Sequence, residues 1–552
     1  MNKKNNSRQI LVTTALPYAN GLLHLGHLLE HIKSDIWVRT NRMIGNRCIF
    51  ICGDDAHGTP IMLCAKKLGI SPEELIIDIK RSHESDFKDF YINYDYYHTT
   101  HSIENKKLVN FIYSRLLSNG DINKKFIYQF YDPIKKMFLP DRYVIGGCPI
   151  CSAKNQYGDH CTICGNVYNI NDIVNPISSI SGVSPIKKRS EHYFFSLSKY
   201  SLFLQKWIKN REFLQKEILN KLNEWLLLGL KDWNISRDSP YFGFKIPNDN
   251  SKKYFYVWFD ASISYMSIFK KYCIDNNNLF WFNKYWNINS ETELYHFIGK
   301  DVIYFHYLFW PALLIASGYR LPTSIFVHGF LTINGKKMSK SSGTIIKASI
   351  YKKYLNPEYL RYYFASKLNN TIEDIDLNFD DFLAKINSDL VGKVINIASR
   401  CSSFIKKYYS NQLSSMLDSA ELYKDLLKNK SIIIESFLDH KYSIAISYIM
   451  KCADKSNWYI NKKKPWIMIK NSSLLFEVHK VCTMGLNLYR LLIGYLKPVL
   501  PNLAKMSEKF LNCGSLDWDS IENPILDIKI NNFYPMIFRV KKKDIDKVFL
   551  NN

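Results

Sequence analysis

Two histidines, His24 and His27, stand three residues apart where a segment with the apolar spacing of a helix begins. Residues three apart lie on one helical face, so both imidazoles would meet at the first turn. A helix N-terminus carries unpaired N–H groups and the positive end of the helix dipole, which favours phosphate. Gly26 leaves room for a ligand, and neutral imidazoles donate to charge developing on a phosphoryl oxygen. Alone, so short a pattern is also compatible with two ordinary histidines at a helix cap.

A second polar segment, NGKKMSKSSG at residues 334–343, combines lysines and serines with glycine turns. A mobile loop of ammonium and hydroxyl groups can fold over a triphosphate and follow its charge into the transition state. A solvated basic loop is the commoner origin of such a cluster. Residues 24–27 read His-Leu-Gly-His and are called the HLGH motif below. This motif and the later basic segment, in this order, together predict one nucleotide site, which neither would predict by itself.

Four cysteines form two CxxC pairs, Cys148 with Cys151 and Cys161 with Cys164, separated by nine residues. Four thiolates at this spacing are typical of a tetrahedral zinc site. Because four protein ligands leave no position for water, we predict one structural Zn²⁺ that orders a segment with little core of its own. Redox-active CxxC pairs are the alternative. The remaining cysteines are scattered, which does not suggest a secreted disulfide framework.

The elements that must position these groups begin with a short β-branched run at residues 9–16, which predicts a strand. An apolar-periodic helix over 24–43 and a second strand over 48–53 follow. A strand, helix, strand unit implies a parallel sheet with a right-handed crossover. Ser71 and Glu74 form a capping box that predicts the start of the next helix.

Further along the chain, residues 120–233 are irregular and suggest an insertion in the α/β unit. Strand-like runs return at residues 254–259, 294–299 and 324–330. From Asp380 to Lys464 the chain has one glycine and no proline, and its amphipathic periodicity predicts a helical bundle.

The composition is basic, with 74 Lys+Arg against 50 Asp+Glu and a net charge of +24. This charge suggests a nucleic-acid partner, although compositional drift in a chain rich in Asn, Lys, Ile and Tyr explains it as well. The longest apolar stretch, 302–316, is broken by His306 and Pro311 and falls short of the ~20 residues of a membrane helix. The N-terminal apolar run stops at Pro17 without a cleavage pattern. We therefore expect a cytoplasmic protein of three or four domains and no membrane partner.

The HLGH and KMSKS motifs resemble the two signatures of class I aminoacyl-tRNA synthetases. Nearly the whole chain resembles the methionyl-tRNA synthetase family in that family's usual order, through TTALPYANGLLHLGH, CGDDAHGTPI, the cysteine cluster, WNISRDSPYFG, YVWFDA, HFIGKDVIYFH, FVHGF and KMSKS. The resemblance implies an α/β fold, with a Rossmann-like parallel-sheet catalytic domain split by a zinc-binding insertion and followed by an α-helical bundle. The implied domains are the first catalytic half (1–119), the connective insertion with the zinc knuckle (120–235), the second catalytic half (236–325), a stem-contact domain with the KMSKS loop (326–388) and a helical anticodon-binding domain (389–552).

The resemblance also implies a function. Such a protein uses ATP to activate L-methionine as methionyl-adenylate and transfers it to the 3′ end of tRNA(Met), including the initiator, with release of AMP and pyrophosphate. Mg²⁺ would accompany ATP. Longer family members append a dimerising tRNA-binding domain, which is absent here, so a monomer is expected.

Carried over position by position, the resemblance assigns the following residues. Catalysis falls to His24, His27, Lys337 and Lys340, and ATP binding to Glu30, Gly299, Asp301, His328 and Lys340. Methionine binding falls to Leu16, Asp55, Trp233, Arg237, Trp258, Ala261, Tyr265, His306 and Trp310, and anticodon reading to Asn396, Arg400 and Trp466.

Physical arguments support the last two groups. A thioether is a polarizable, weak acceptor, so aromatic contact and shape must recognise it. Asn396 and Arg400 share a helical face. Trp466 follows a run of lysines, and this combination suits stacking on an unpaired base beside its phosphates. The alternative for Trp466 is a core position after a helix-breaking proline. Ser262 and Ser264 replace the proline and glycine of the family's WFDAPIGY segment, which implies a looser backbone around Tyr265.

Other functions remain to be weighed against this one. The isoleucine, valine and leucine enzymes carry a much larger editing insertion, for which residues 120–233 leave little room. The cysteine enzyme grips a thiolate with its metal, whereas the cysteine cluster here lies elsewhere. A tRNA-binding protein that lost catalysis, or a zinc-dependent nucleic-acid-binding module, would have little reason to keep both HLGH and KMSKS.

Overall fold

The computed structural model describes residues 7–140, 143–158, 161, 163–164, 170–210, 214–250, 252–338 and 344–551. In chain order, the strands of these residues are β1 (Gln9–Thr14), β2 (Arg47–Asp54), β3 (Tyr96–Thr99), β4 (Ile122–Asp132), β5 (Met137–Phe138), β6 (Val144–Gly147), β7 (Gln156–Tyr157), β8 (Val174–Ser178), β9 (Ile186–Phe195), β10 (Trp233–Asn234), β11 (Ser236–Arg237), β12 (Tyr254–Phe255), β13 (Glu293–Gly299), β14 (Ser324–His328), β15 (Leu331–Ile333), β16 (Lys336–Lys337) and β17 (Ile375–Leu377).

The α-helices follow the same order. They are α1 (Leu25–Met43), α2 (Thr59–Leu68), α3 (Pro72–Asp89), α4 (Ile103–Ser118), α5 (Ser201–Lys209), α6 (Lys216–Leu227), α7 (Val257–Asp275), α8 (Phe280–Trp286), α9 (Trp310–Ala316), α10 (Ala348–Tyr354), α11 (Pro357–Lys367), α12 (Phe379–Lys385), α13 (Asn396–Tyr409), α14 (Ala420–Leu427), α15 (Lys430–Leu438), α16 (Tyr442–Lys463), α17 (Pro465–Met468), α18 (Leu475–Leu496), α19 (Pro501–Leu511) and α20 (Lys542–Leu550). Two π-helical segments, Phe305–Phe309 and Ile386–Ile395, accompany them.

A parallel sheet lies at the centre, with the strand order β14-β13-β1-β2-β3 among the described residues. Successive residues of a strand point to opposite faces, so a strand buried on both sides reads as a continuous apolar run. In β1, Ile10 and Val12 pack with α1 on one face, whereas Leu11 joins the core on the other face. The predicted parallel strand, helix, strand unit is therefore confirmed.

The chain leaves this sheet after α4 and forms the insertion that the sequence predicts. Strands β4 and β9 make a long antiparallel ribbon, flanked by β5 and β10. Beyond it, β7, β6 and β8 form a small sheet around the cysteine cluster. Helices α5 and α6 and the short pair β11 and β12 lead back to α7 and then to β13.

One strand prediction is wrong. Within residues 254–259 only Tyr254–Phe255 is a strand, and helix α7 begins at Val257. The run is rich in aromatic and β-branched residues because it leads into α7, which is buried from Phe259 to Phe269. Composition alone does not separate such a helix from a buried strand. The run at 294–299 lies in β13, and that at 324–330 forms β14 as far as His328. The capping box of Ser71 and Glu74 begins α3 as predicted.

The C-terminal part of the described chain is helical, as predicted. Helix α18 packs against α13 and α16, and these helices share one continuous hydrophobic core with α1 and the sheet. The predicted periodicity did not reveal the π-helical segment that precedes α13. None of the helices in the described ranges is both long enough and apolar enough to cross a membrane.

A fully buried ion pair joins the sheet to the helical region. The Arg361 guanidinium on α11 donates to Asp35 Oδ2 of α1 at 2.7 Å and to the carbonyl oxygens of Val499 (2.7 Å) and Pro498 (3.1 Å) after α18. Burial acts to raise the pKa of Asp35, but the charges of Arg39 and Arg361 outweigh it and hold that pKa below its ordinary value. The pair thus fixes α1 relative to α11 and to the segment that follows α18.

We predict that Arg361→Met lowers the free energy of unfolding by about 3 kcal/mol, because it removes the fully buried one of the two guanidinium partners of Asp35 and leaves only Arg39, which is partly exposed. Since the folded pKa of Asp35 is depressed, the pair stabilises fully above the unfolded value of about 3.9, and this stabilisation is lost as pH falls through the folded pKa. Thermal unfolding between acid and neutral pH measures both effects. The control is Lys221→Met, which removes an exposed pair with Glu224; equal losses in the two variants would contradict the prediction.

Candidate active site and metal centre

A cavity of about 920 Å³ opens at the carboxyl ends of β1, β13 and β14. Ligands of open α/β sheets bind at this edge. The cavity brings together most of the residues that the sequence singled out. Its walls include His24, His27, Glu30, Lys337, Gly299, Asp301, His328, Leu16, Asp55, Arg237, Trp258, Ala261, Tyr265 and His306.

Two of the predicted site residues are placed differently, and a third cannot be compared. Lys340 lies outside the described residues. Trp233 does not line the cavity but packs against Phe305, whose ring stacks on Trp258 at 3.7 Å between centroids. Trp310 is buried behind the wall, where its indole Nε1 donates to His296 Nε2 at 3.2 Å. Trp233 therefore supports the wall residue Trp258 through Phe305, and the Trp310 ring lies 6.1 Å from that of the wall residue Tyr265 between centroids.

The two histidines of the HLGH motif cap helix α1 reciprocally. The His27 backbone N–H donates to His24 Nδ1 (3.4 Å), and the His24 backbone N–H donates to His27 Nδ1 (3.3 Å). Their rings stack with centroids 3.6 Å apart. Because each Nδ1 accepts a hydrogen bond, a neutral ring carries its proton on Nε2. Burial, reinforced by His24, lowers the pKa of His27 well below its ordinary value, so His27 is a neutral donor at pH 7.

Gly26 allows the second signature to approach the first. A Cβ atom at this position would lie 2.3 Å from Met338 Cε, so the missing side chain makes room for the methionine of the KMSKS segment. Lys337, the residue before it, lines the same cavity as His24 and His27. Within the part of the chain that the structure describes, the two motifs therefore meet at the first turn of α1.

Asp55 places a carboxylate on the cavity wall without a complete set of partners. Among the described residues, its Oδ1 atom is buried and has no hydrogen-bond partner. Burial, together with the nearby Asp260, raises its pKa well above the ordinary value. Asp260 itself is held by His57, whose Nδ1 lies 2.5 Å from its Oδ2. A buried carboxylate in this state favours a ligand that brings positive charge.

Glu30 and His328 form a second polar pair in the wall. Their Oε2 and Nε2 atoms are 3.2 Å apart, and His328 Nδ1 donates to the Gly329 carbonyl at 2.7 Å. The other carboxylate oxygen, Oε1, is buried and has no partner among the described residues. Burial raises the pKa of Glu30. This side of the cavity therefore retains capacity to bond a polar ligand.

Tyr265 and His306 close an apolar slot. His306 Nδ1 donates to the Val302 carbonyl at 3.0 Å, so its Nε2 accepts, and the Tyr265 hydroxyl donates to it at 2.8 Å. Burial lowers the pKa of His306 to about 4, so the pair is uncharged at neutral pH. His306 lies in the π-helical segment Phe305–Phe309, a distortion often found at functional sites. An uncharged aromatic slot suits an apolar side chain.

The two serines that depart from the family pattern do not interrupt α7. Ser262 Oγ donates to the Trp258 carbonyl at 2.8 Å, and Ser264 Oγ donates to the Ala261 carbonyl at 2.6 Å. The helix continues through both positions to Asp275. This geometry runs against the expected loosening of the backbone around Tyr265.

Arg237 supplies positive charge to another part of the cavity wall. Its guanidinium lies 3.7 Å from the ring centroid of Tyr256, and its Nη1 donates to the Ser236 carbonyl at 2.8 Å. No carboxylate of the described residues lies within ion-pair distance of it. Such a cation is available for an anionic group of a ligand.

The four cysteines converge as their spacing predicts. Their sulfur atoms all lie within 4.8 Å of one another, with Cys148 Sγ 3.8 Å from Cys164 Sγ and Cys151 Sγ 3.6 Å from Cys161 Sγ. Metal–sulfur bonds of about 2.3 Å in a tetrahedron require sulfur separations of roughly 3.8 Å, so the group fits one metal ion. Backbone N–H groups donate to Cys148 and Cys161 Sγ at 3.3–3.4 Å, which stabilises thiolates.

The three predicted anticodon residues lie in or beside the helical region. The Arg400 guanidinium lies 4.4 Å from the ring centroid of Trp466 and donates to Asn461 Oδ1 at 2.7 Å. Trp466 is 36% exposed, which excludes the fully buried core position. Asn396 begins α13 one turn before Arg400. The structure thus brings Arg400 and Trp466 into contact, and it adds Asn461, which the sequence reasoning missed.

Several residues of the cavity wall were also missed, among them Tyr18, His31, Tyr241 and Met338. Tyr18, Tyr241 and Met338 belong to the recognised segments TTALPYANGLLHLGH, WNISRDSPYFG and KMSKS, so their position beside the motifs was a usable signal. The Tyr241 hydroxyl accepts a hydrogen bond from the Val257 N–H at 3.1 Å, a contact that only the return of the chain from the insertion creates.

Fold and site together define an α/β protein with a cavity of nucleotide size beside a helix N-terminus. The comparison with known families is more specific, since a family model described as tRNA synthetases class I (M) matches residues 10–402. The methionine–tRNA ligase of Francisella tularensis subsp. holarctica (strain OSU18) is 52% identical over 542 residues, which are 98% of this chain and 80% of that protein. That of F. tularensis subsp. tularensis (strain WY96-3418) is 51% identical over the same lengths.

A solved structure is similar as well. The Mycobacterium tuberculosis methionyl-tRNA synthetase in complex with methionyl-adenylate superposes with a TM-score of 0.77 at 22% identity, over 96% of this chain and 99% of that one. This likeness shows the shared fold. With the family model and the sequence relatives, it establishes that the chain belongs to the class I tRNA synthetases of the M family.

Proposed function

We propose that the protein is a methionine–tRNA ligase, which activates L-methionine with ATP and transfers it from methionyl-adenylate to the 3′ end of tRNA(Met), releasing pyrophosphate and AMP. The observation that carries this proposal is the cavity, whose wall combines the paired imidazoles and Lys337 with the Asp55 carboxylate, one oxygen of which has no partner among the described residues, and with the aromatic slot. Relatives named methionine–tRNA ligase at 52% identity support it.

The first step needs no protein nucleophile. The methionine carboxylate attacks the α-phosphorus of ATP, a P–O bond forms, and the bond to pyrophosphate breaks. Negative charge shifts onto the phosphoryl oxygens, where Nε2–H groups of His24 and His27 and the ammonium of Lys337, with that of Lys340, would bind it. Magnesium bound to the ATP phosphates would neutralise part of their charge. Glu30, Gly299, Asp301 and His328 would hold the adenosine moiety.

Methionine would lie with its ammonium at Asp55 and the main chain of Leu16, and with its carboxylate near Arg237. Its side chain would occupy the slot formed by Trp258, Ala261, Tyr265 and His306, with Trp233 and Trp310 behind. The hydrogen bond from Tyr265 to His306 keeps this slot neutral, so it favours a polarizable thioether over a charged side chain. Homocysteine, one methyl group shorter, would lose only about 1–3 kcal/mol and should compete.

The tRNA would span the molecule. Asn396, Arg400 and Trp466 would read the anticodon by stacking and hydrogen bonding, and the KMSKS region would contact the stem of the acceptor side. On this proposal residues 1–119 and 236–325 form the catalytic domain, 120–235 the connective insertion, 326–388 the stem-contact domain and 389–552 the anticodon-binding domain. We further propose that the protein is a cytoplasmic monomer and that it serves both initiator and elongator tRNA(Met). The four cysteines would hold one structural Zn²⁺.

The first test is ATP–pyrophosphate exchange with a panel of amino acids, which should depend on methionine. Replacing His27 with alanine removes one donor to the transition state and should lower kcat about 10²–10³-fold while changing the KM for methionine little. The control is His98→Ala, since His98 lies outside the cavity walls. Exchange that requires another amino acid, or a His27→Ala variant with normal kcat, would refute the proposed chemistry.

The second test concerns the ammonium partner. Asp55→Asn should raise the KM for methionine roughly 10- to 150-fold, since a hydrogen bond to a charged group contributes about 1.5–3 kcal/mol, and should leave the KM for ATP nearly unchanged. The raised pKa of Asp55 also predicts how the KM for methionine depends on pH. Because binding of the ammonium group needs the ionised carboxylate, this KM should fall in the wild type as pH rises through the pKa of Asp55. A variant that keeps the wild-type pH dependence would rule out this role for Asp55.

The third test is metal analysis. We expect one equivalent of zinc per chain, and none in Cys161→Ala, with a lower midpoint of thermal unfolding because the metal orders the small sheet β7-β6-β8. Cys64→Ala is the matched control, since Cys64 lies outside the cluster. Full zinc content in Cys161→Ala would show that the metal is bound elsewhere.

A further inference from the structure

Helix α16 presents a tryptophan to solvent. Trp458 is 63% exposed, more than Trp466 at 36%. An indole ring is a large apolar surface that proteins usually bury, and exposed tryptophans are enriched where a partner binds. The Lys462 ammonium lies 4.9 Å from the centroid of the same ring. Trp458 therefore offers an aromatic surface with a cation beside it.

The position of Trp458 on α16 relates it to the proposed anticodon surface. Trp458, Asn461 and Lys462 are at positions i, i+3 and i+4 and share one helical face. Asn461 accepts the hydrogen bond of Arg400, which in turn lies over Trp466. With a rise of about 1.5 Å per residue, Trp458 lies about 4.5 Å along the axis from Asn461. Trp458 thus lies about one helical turn from the residue that accepts the hydrogen bond of Arg400.

The charges around Trp458 indicate the chemistry of a partner. Lys462 has no carboxylate within ion-pair distance among the described residues, whereas its neighbour Lys463 is paired with Asp418 at 2.8 Å. Lys393, on the facing segment, is paired with Asp454 at 2.9 Å. The cation beside the exposed ring is thus available for an external anion. An aromatic face with an adjacent unpaired cation is how proteins bind unpaired nucleotides, through base stacking and phosphate contact.

We propose that Trp458 is a second stacking platform for RNA, which receives an unpaired nucleotide next to the one bound by Trp466 and Arg400, while Lys462 contacts its phosphate. This inference rests on the proposed function, and it names a contact beyond the residues assigned to anticodon reading. Because every base has an aromatic face, such a platform adds affinity and orientation but little sequence discrimination. Trp458 therefore acts on tRNA binding and leaves adenylate formation alone.

The experiment compares Trp458→Ala and Trp458→Phe with the wild-type full-length protein. Trp458→Ala should raise the KM for tRNA in aminoacylation about 10-fold, the size expected for one base–aromatic stack. Trp458→Phe, which keeps an aromatic face, should restore most of this loss. Methionine-dependent ATP–pyrophosphate exchange, which needs no tRNA, should be the same in all three proteins. Phe280→Ala is the control, because Phe280 is 72% exposed on α8, outside the helical region.

A second measurement identifies the nucleotide. The anticodon stem-loop of tRNA(Met) is prepared with single abasic positions in the loop, and its affinity for each protein is measured. The wild type should lose about 10-fold at one position adjacent to the anticodon base held by Trp466, and Trp458→Ala should be insensitive to that same change.

Each result has one meaning. If the wild type charges tRNA and Trp458→Ala matches it in KM and stem-loop affinity, the inference is wrong and the proposed function stands; an exposed ring that serves a protein partner would give this result. If Trp458→Ala still responds to every abasic position as the wild type does, the stacking role is also excluded. Failure of the wild type to catalyse methionine-dependent exchange would instead contradict the proposed function.

Discussion

The buried contact between Arg361 and Asp35 is the constraint on which the arrangement of this protein depends. A guanidinium removed from water is tolerated only where its donors are all engaged, and here they reach α1 and the carbonyl groups after α18. Helix α1 carries the HLGH histidines at its N-terminus and the carboxylate of Asp35 in its middle. The same contact that orients the first turn of α1 in the cavity therefore fixes the helical region against the sheet.

Within the cavity, several polar groups have hydrogen-bonding or charge capacity that the protein itself does not use, and a ligand could use it. The imidazoles of His24 and His27 satisfy their Nδ1 atoms with the backbone and thereby direct their protons through Nε2. Asp55 keeps one oxygen unpaired, and Arg237 lacks a carboxylate partner among the described residues. Between them lies a neutral slot. A ligand that carries an ammonium, an apolar side chain and an anion completes all of these at once, which is why the geometry supports the activation of an amino acid.

The helical region, where we propose that tRNA binds, has a different kind of surface. Its surface near α13, α16 and α17 combines exposed or half-exposed tryptophans with cations, and Arg400 is already preorganised by Trp466 and Asn461. Preorganisation reduces the entropy lost when a flexible loop is bound. Because α1 joins this region to the cavity through one continuous core, a tRNA held at the helices has a defined relation to the catalytic groups.

The sequence by itself determined those features that depend on neighbours along the chain. The strand and helix that carry HLGH, the capping box at Ser71, the CxxC spacing and the helical nature of residues 380–464 all follow from local spacing, and each is found in the structure. Local reasoning failed where burial decides the conformation. The start of α7 has a strand-like composition because it leads into a helix that is buried from Phe259 to Phe269, and its helical state depends on contacts that no local pattern contains.

Only the tertiary structure decided which of the recognised residues meet. The family resemblance assigns Trp233 and Trp310 to the cavity, yet neither lines it: Trp233 packs against Phe305, and Trp310 donates to His296 and lies behind Tyr265. The partnership of Arg361 with Asp35, 326 residues apart, and that of Met338 with Gly26 bring together parts of the chain that share no local signal. Such contacts arise from the packing of whole elements, because burial makes a partner necessary and the fold determines which residue is near enough to serve.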